Sequence, residues 1–216
     1  MDIDIDRRWP KRGDVVFGQS AFPYFDERTV ACVDRLLYRP DLWIYADAFK
    51  GAADFIVAGL SEGKHPGPCD IFFFPVAYLY RHAIELLLKK GLGYAIRLQL
   101  IENDEQVQEV LGDHNLYALW NKLKPAIQAC WPEAEKGSNR DAERIIAQFH
   151  EVDKSGQAFR YPARKDGAPS LKGSEKPLEV VDLLQLGNVA GGLCAYLDAC
   201  ASGLGDALSN VDWGEP

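Results

Sequence analysis

Arg81, His82, Glu85 and Lys89 lie inside YLYRHAIELLLKK, residues 78–90, a run that is otherwise mostly apolar and reads as the middle of a helix. At helical pitch Arg81, Glu85 and Lys89 are four residues apart and share one face, with His82 on the flank three residues from Glu85. A guanidinium, a carboxylate, an ammonium and an imidazole on adjoining turns can bind an anion and move protons. Inside an apolar helix such ions must be paired, because an isolated buried charge costs on the order of several kcal/mol after relaxation.

Two arrangements meet that requirement. In one, Arg81, Glu85 and Lys89 satisfy one another along a thin solvent-facing stripe. In the other, the stripe faces a cleft and recruits His114, Asp153 and Arg160 from later segments, chiefly from FHEVDKSGQAFRYP, residues 149–162. There Pro162 biases Tyr161 toward extended geometry, so that Arg160 and Tyr161 offer a planar cation and a phenol to an anion or nucleotide. The structural alternative for this pair is a tie between a long loop and the helices, with Asp153 pairing one of the arginines. For His114 the alternative is a capping or packing role.

The elements that must position these groups follow from the apolar periodicity. Residues 1–40 read as an irregular arm with a short helix between Asp26 and Tyr38. From Asp41, a candidate N-cap, Trp43, Ala46, Phe49, Ala53, Ile56, Val57 and Leu60 recur at helical spacing until Gly63 and Pro66. Asp70 is placed to cap the polar-stripe helix, with Pro75 in its first turns. A short helix is expected from Glu102 to Leu111, one from Asp113 or Asn115 to just before Pro132, and one from Ala142 to Val152. A long Gly-, Lys-, Pro- and Ser-rich segment follows, with a small hairpin around Ala158 to Ala163. The closing helix is expected from about Pro177 to Leu204, with Gly191 and Gly192 allowing close approach of a neighbour. The resulting division is an arm at 1–40, a helical domain at 41–208 and a flexible tail at 209–216.

Composition narrows the function class. The 216 residues are 47% hydrophobic and 26% charged, which suits one folded domain. A net charge of −8 repels polyanions and argues against bulk coating of DNA, while leaving room for a local basic site. Cys32, Cys69, Cys130, Cys194 and Cys200 form no C-x-x-C pair and read as small hydrophobes in a reducing compartment. Histidines at 65, 82, 114 and 150 are scattered, so no metal site is expected, and no phosphate loop, H-E-x-x-H or G-x-S-x-G motif calls for a cofactor. The acidic, polar N-terminus does not read as a secretion signal, and no charge-free apolar run has membrane-spanning length. The expectation is a cytoplasmic protein without a membrane partner.

WIYADAFKGAADFIV, YLYRHAIELLLKKGL, DHNLYALWNKL and VDKSGQAFRYP occur in that order across most of residues 42–204. Through these stretches, and RHAIELLLK and FRYP in particular, the chain resembles a bacterial branch of the HEPN superfamily of small α-helical domains. The resemblance implies an all-α bundle of four to five core helices, with an irregular N-terminal arm and a long loop before the last helix. Such domains are frequently homodimeric and linked to toxins, antiviral defence or RNA cleavage. Many are metal-independent ribonucleases with an Arg and a His four to six residues apart. The His takes the ribose 2′-OH proton and the Arg stabilises the pentavalent phosphate, often across a dimer.

In this chain Arg81 and His82 are adjacent, a departure from that spacing. Arg144 and His150, in RIIAQFH, match it, although a separation of six sets two side chains about 240° apart on a straight helix. The leading reading is a recognition or effector module whose pocket holds Arg81, His82, Glu85, His114 and Arg160, with Lys89, Asp153 and Tyr161 completing the ligand contacts. Its ligand is a nucleotide, an RNA end or a partner protein. One alternative is a metal-independent endoribonuclease leaving 2′,3′-cyclic phosphate ends, with Arg81, His82 and His114, or else Arg144 and His150, in catalytic roles. The other is a structural subunit whose stripe only fixes helix register.

Overall fold

The computed structural model describes residues 41–64, 68–132, 136–173 and 180–210. They belong to one unit, Pro40–Pro216, and the arm expected at 1–40 lies outside the described residues. The protein is an all-α bundle: six α-helices among the described residues, and only an isolated antiparallel bridge in place of strands. The helices are α1 (Leu42–Ser61), α2 (Asp70–Arg97), α3 (Glu105–Gly112), α4 (Leu116–Cys130), α5 (Lys136–Val152) and α6 (Leu183–Ser209), with a 3₁₀ turn at Ser170–Gly173.

Side-chain caps set most of the starts. Asp41 accepts the Trp43 N–H at 2.9 Å, Asp104 that of Val107 at 2.8 Å and Asn115 that of Ala118 at 2.9 Å, so each meets a donor the first turn leaves unpaired. α2 differs from expectation: Asp70 is its first residue rather than its cap, and Cys69 precedes it without a side-chain bond. α6 starts at Leu183, where Asp182 accepts the Leu184 and Gln185 N–H groups at 2.9 and 3.1 Å. The expected start near Pro177 lies outside the described residues.

α2 is the axis of the bundle, packed against α1, α4 and α6, while α5 closes on α4 and α6. Five helices supply the core: Ala53 and Val57 from α1, Ile84 and Leu88 from α2, Leu119 and Leu123 from α4, Ile146 from α5, and Leu197 and Leu204 from α6. Its length and apolarity would let α2 cross a membrane, but half of its most apolar window is buried in the bundle.

α5 begins six residues before the expected Ala142, because Asn139 extends the Ala142, Ile146 and Phe149 stripe by one turn. Asn139 is buried and accepts the Tyr196 hydroxyl of α6 at 2.8 Å, a tertiary bond that outweighs the weak helix preference of Gly137 and Ser138. Close approach also falls elsewhere than expected. Gly191 and Gly192 face open space, whereas a Cβ at Gly203 would lie 2.7 Å from the Trp131 ring and one at Gly187 3.1 Å from the Tyr80 hydroxyl. The hairpin expected at Ala158 to Ala163 is replaced by a turn in which Arg160 and Tyr161 donate to the Gln157 carbonyl, followed by the Ala163–Pro169 bridge.

Candidate functional site

Arg81 leaves the middle of α2 and is 2% exposed. Its NH1 donates to Glu85 Oε2 at 3.1 Å, its NH2 to the His114 carbonyl at 2.6 Å and the Asp153 carbonyl at 3.2 Å, and its Nε lies 3.1 Å from Asp153 Oδ2. One planar fork therefore ties α2 to the segment entering α4 and to the segment leaving α5. Burying an ion this deeply demands such pairing, and each of the three guanidinium nitrogens is engaged within the protein.

Asp153 is 1% exposed and completes the tie. Its Oδ1 accepts the N–H groups of Gln157 and Ala158 at 2.9 and 3.0 Å, which folds residues 153–158 back over α2. The fold-back needs Gly156, whose φ of +73° is left-handed. A Cβ there would also lie 3.0 Å from Arg81 NH1 and 3.1 Å from His114 Cβ.

Glu85, 2% exposed, receives Lys89 Nζ at 2.9 Å and His114 Nδ1 at 2.8 Å on its second oxygen. Burial pushes its carboxyl up, but hydrogen bonds from Lys89 and His114 outweigh it and hold Glu85 below its ordinary value. The carboxylate is thus ionised near neutrality, which makes Nδ1 of His114 the donor and turns Nε2 away from the tie. The His114 side chain is 48% exposed, so this nitrogen faces solvent. The local ladder and the recruited groups therefore coexist, but in a sealed joint in which Arg81 and Glu85 are each 2% exposed.

Arg160 stands outside the joint. It is exposed, its Nε donates to the Gly156 carbonyl at 3.0 Å, and its guanidinium lies 5.6 Å from the Tyr78 ring and 5.7 Å from the Tyr161 ring. Tyr78 stacks on His82 at 5.7 Å with an interplanar angle of 7°, and His82 meets Phe49 of α1 edge-on at 4.6 Å. The result is a cation–aromatic surface running from the Arg160 turn across α2 to α1, with exposed His114 bordering the same Gly156. Residue spacing assigns no site role to Tyr78 or Gly156 and gives Phe49 only a place on the apolar face of α1. The signal available was Tyr78 one helical turn before His82, whereas the left-handed turn at Gly156 needs the tertiary contact to be seen.

Burial foremost, helped by the charges of Arg81, His114 and Arg160 and opposed by Glu85, pulls His82 below its ordinary value of 6.5. Burial also lowers His150, which stacks on Tyr117 at 6.2 Å. A depressed folded value means the native state binds fewer protons than the unfolded one. Stability is then full above the unfolded value and is lost as pH falls through the folded value. The melting temperature is accordingly expected to drop from about pH 7.5 to about pH 5, and His82→Phe to flatten that drop while keeping the stack. A wild-type melting temperature flat across the interval would contradict the buried placement of His82.

Arg144 and His150 are not brought together. α5 continues unbroken through both; Arg144 is exposed with Asp141 Oδ1 at 3.8 Å, and His150 turns to Tyr117 of α4. An apolar cleft of about 300 Å³ between α2, α5 and α6 and a second cleft of about 350 Å³ within residues 151–170 are lined by neither Arg81, His82, Glu85 nor Arg160. No group of three or more His, Cys, Asp or Glu side chains that could hold a metal occurs among the described residues, and His65 lies outside them. Compared with protein-family models, curated proteins and solved structures, the chain matches no family, no relative and no known structure.

Proposed function

We propose that this protein is an HEPN-like recognition or effector module of a defence or toxin-type system, cytoplasmic and homodimeric, whose Arg160–Tyr161–His114 surface binds a nucleotide or RNA. The observation that carries the reading is the contrast between its two arginines. Arg81 is sealed with its fork engaged, whereas Arg160 is anchored through Nε alone and keeps its outer nitrogens free among the described residues, between two aromatic rings. A cation presented beside the exposed Tyr161 ring suits a phosphate with an adjoining base. The net charge of −8 restricts such binding to a local contact. Self-association is favoured by large apolar side chains left in solvent, such as Phe55 at 81% exposure.

Calorimetric titration with nucleotides and short single-stranded RNA tests the reading. Arg160→Ala is expected to weaken binding about tenfold or more, as loss of a charge-assisted contact does. Its melting temperature should stay near wild type, because the side chain is exposed. Wild-type affinity in Arg160→Ala and Tyr161→Ala, or no binding by the native chain, would overturn it.

One observation favours a second reading, metal-independent RNA cleavage. Glu85 orients His114 so that Nε2 points outward as a base, as a carboxylate does for a catalytic histidine. Its cation would be Arg160, since Arg81 is engaged. EDTA-resistant cleavage to 2′,3′-cyclic phosphate ends that disappears in His114→Ala is the outcome that selects it; intact RNA after incubation removes it.

A further inference from the structure

The cleft within residues 151–170 has a chemistry of its own. Lys154, Arg164 and Lys165 stand around it with the hydroxyl residues Ser155 and Ser170, and neither Arg160, Tyr161 nor His114 lines it. In a chain of net charge −8, these cations concentrate positive potential against the overall field. Acids offset it only in part, although Glu151 also lines the cleft. Asp153, in the wall, is neutralised from the α2 side by Arg81 Nε at 3.1 Å. Glu151 lies 3.7 Å from Lys154 and Asp166 3.8 Å from Arg164, beyond hydrogen-bond length and between exposed side chains, so these pairs are weak. Lys165 has no ion pair among the described residues.

The walls are fixed before any ligand arrives. Asp153 holds the Gln157 and Ala158 N–H groups on one side. Across from it, Ser170 N donates to the Pro162 carbonyl at 3.0 Å, Arg164 N to the Ala168 carbonyl at 2.8 Å and Gly167 N to the Arg164 carbonyl at 2.9 Å. Loops held in this way lose little entropy on binding. Three cations and two hydroxyl residues around one cleft suit a chain of phosphates, with its several charges and acceptor oxygens, better than a lone carboxylate.

We infer that this cleft, about 350 Å³ in volume, is an oligophosphate site that takes the phosphate chain of a nucleoside triphosphate or of a 5′-triphosphorylated RNA end. The site is independent of the Arg160 surface. Calorimetry on the full chain with inorganic tripolyphosphate is the test, with exposed Lys64 as a control cation outside the cleft. Wild-type protein should bind, and Arg164→Glu and Lys165→Glu should each weaken binding about tenfold. Both changes are at exposed side chains, so melting curves should stay near wild type. Lys64→Glu and Arg160→Ala should bind as wild type does, which separates this site from the nucleotide surface. Displacement by ATP, or by triphosphorylated but not 5′-hydroxyl RNA, identifies the natural source. The inference is overturned if tripolyphosphate does not bind, if Lys64→Glu weakens binding as much as Lys165→Glu, or if neither ATP nor the RNA displaces it.

Discussion

Arg81→Met is expected to lower the unfolding free energy by about 3–5 kcal/mol, because removing one partner of a buried ion cluster strands the others. Glu85 would keep Lys89 and His114, but Asp153 would lose its cation at 0% side-chain exposure, and the carbonyls of His114 and Asp153 would lose their donor. Urea denaturation reads this as a lower midpoint with an unchanged slope. The loss should persist in high salt, since screening does not reach side chains 3% exposed or less. Arg81→Lys should recover little of it, because one ammonium cannot reach into three directions as the guanidinium fork does. A loss within about 0.5 kcal/mol, the range of an exposed substitution, would mean that the fork is not a structural tie.

Asp153→Ala should cost about as much by a different route. It leaves Arg81 with Glu85 as its one carboxylate partner and removes the acceptor for the Gln157 and Ala158 N–H groups, each such cap being worth about 1 kcal/mol. Asp153→Asn separates these contributions: the amide oxygen can keep the backbone bonds while the charge is gone, so its loss is expected to fall between wild type and alanine. Because the 153–158 fold-back carries Gly156, whose carbonyl anchors Arg160, Asp153→Ala should also weaken nucleotide binding, although Asp153 touches no ligand. Equal affinity in wild type and Asp153→Ala, measured below the melting temperature of both, would separate the joint from the surface.

Much of the helical frame could be read from residue type and spacing. The α1 and α4 caps at Asp41 and Asn115 follow from a short polar side chain before an apolar periodic run, and Arg81, Glu85 and Lys89 from four-residue spacing. Asp182 offered the same kind of signal for α6, which the apolar residues upstream obscured. Pro125 was compatible with α4 because Leu123, Ala126 and Ile127 are buried together, and packing outweighs the lost backbone bond. What spacing does not contain is depth. A stripe of i, i+4 ions looks the same whether it meets water or another segment, and only the fold-back of residues 153–158 decides that Arg81 and Glu85 are sealed.

The same limit explains why Arg160 was grouped with Arg81. Both contact the 153–156 segment, Arg81 at Asp153 and Arg160 at the carbonyl of left-handed Gly156, and one guanidinium is inside and the other outside. Close helix approach at Gly187 and Gly203 rather than Gly191 and Gly192 is likewise set by which large partner, Tyr80 or Trp131, lies opposite.

A double-mutant cycle between Arg81→Met and Asp153→Ala goes furthest toward deciding whether the joint holds the turn in place. Arg81→Met leaves Asp153 buried without its cation and Asp153→Ala leaves Arg81 with Glu85 as its one carboxylate, so the double mutant should be more stable than the sum of the two losses implies, by about 1 kcal/mol or more. Additivity within about 0.5 kcal/mol would place the two side chains in separate surroundings and contradict the joint on which the presentation of Arg160 and His114 rests.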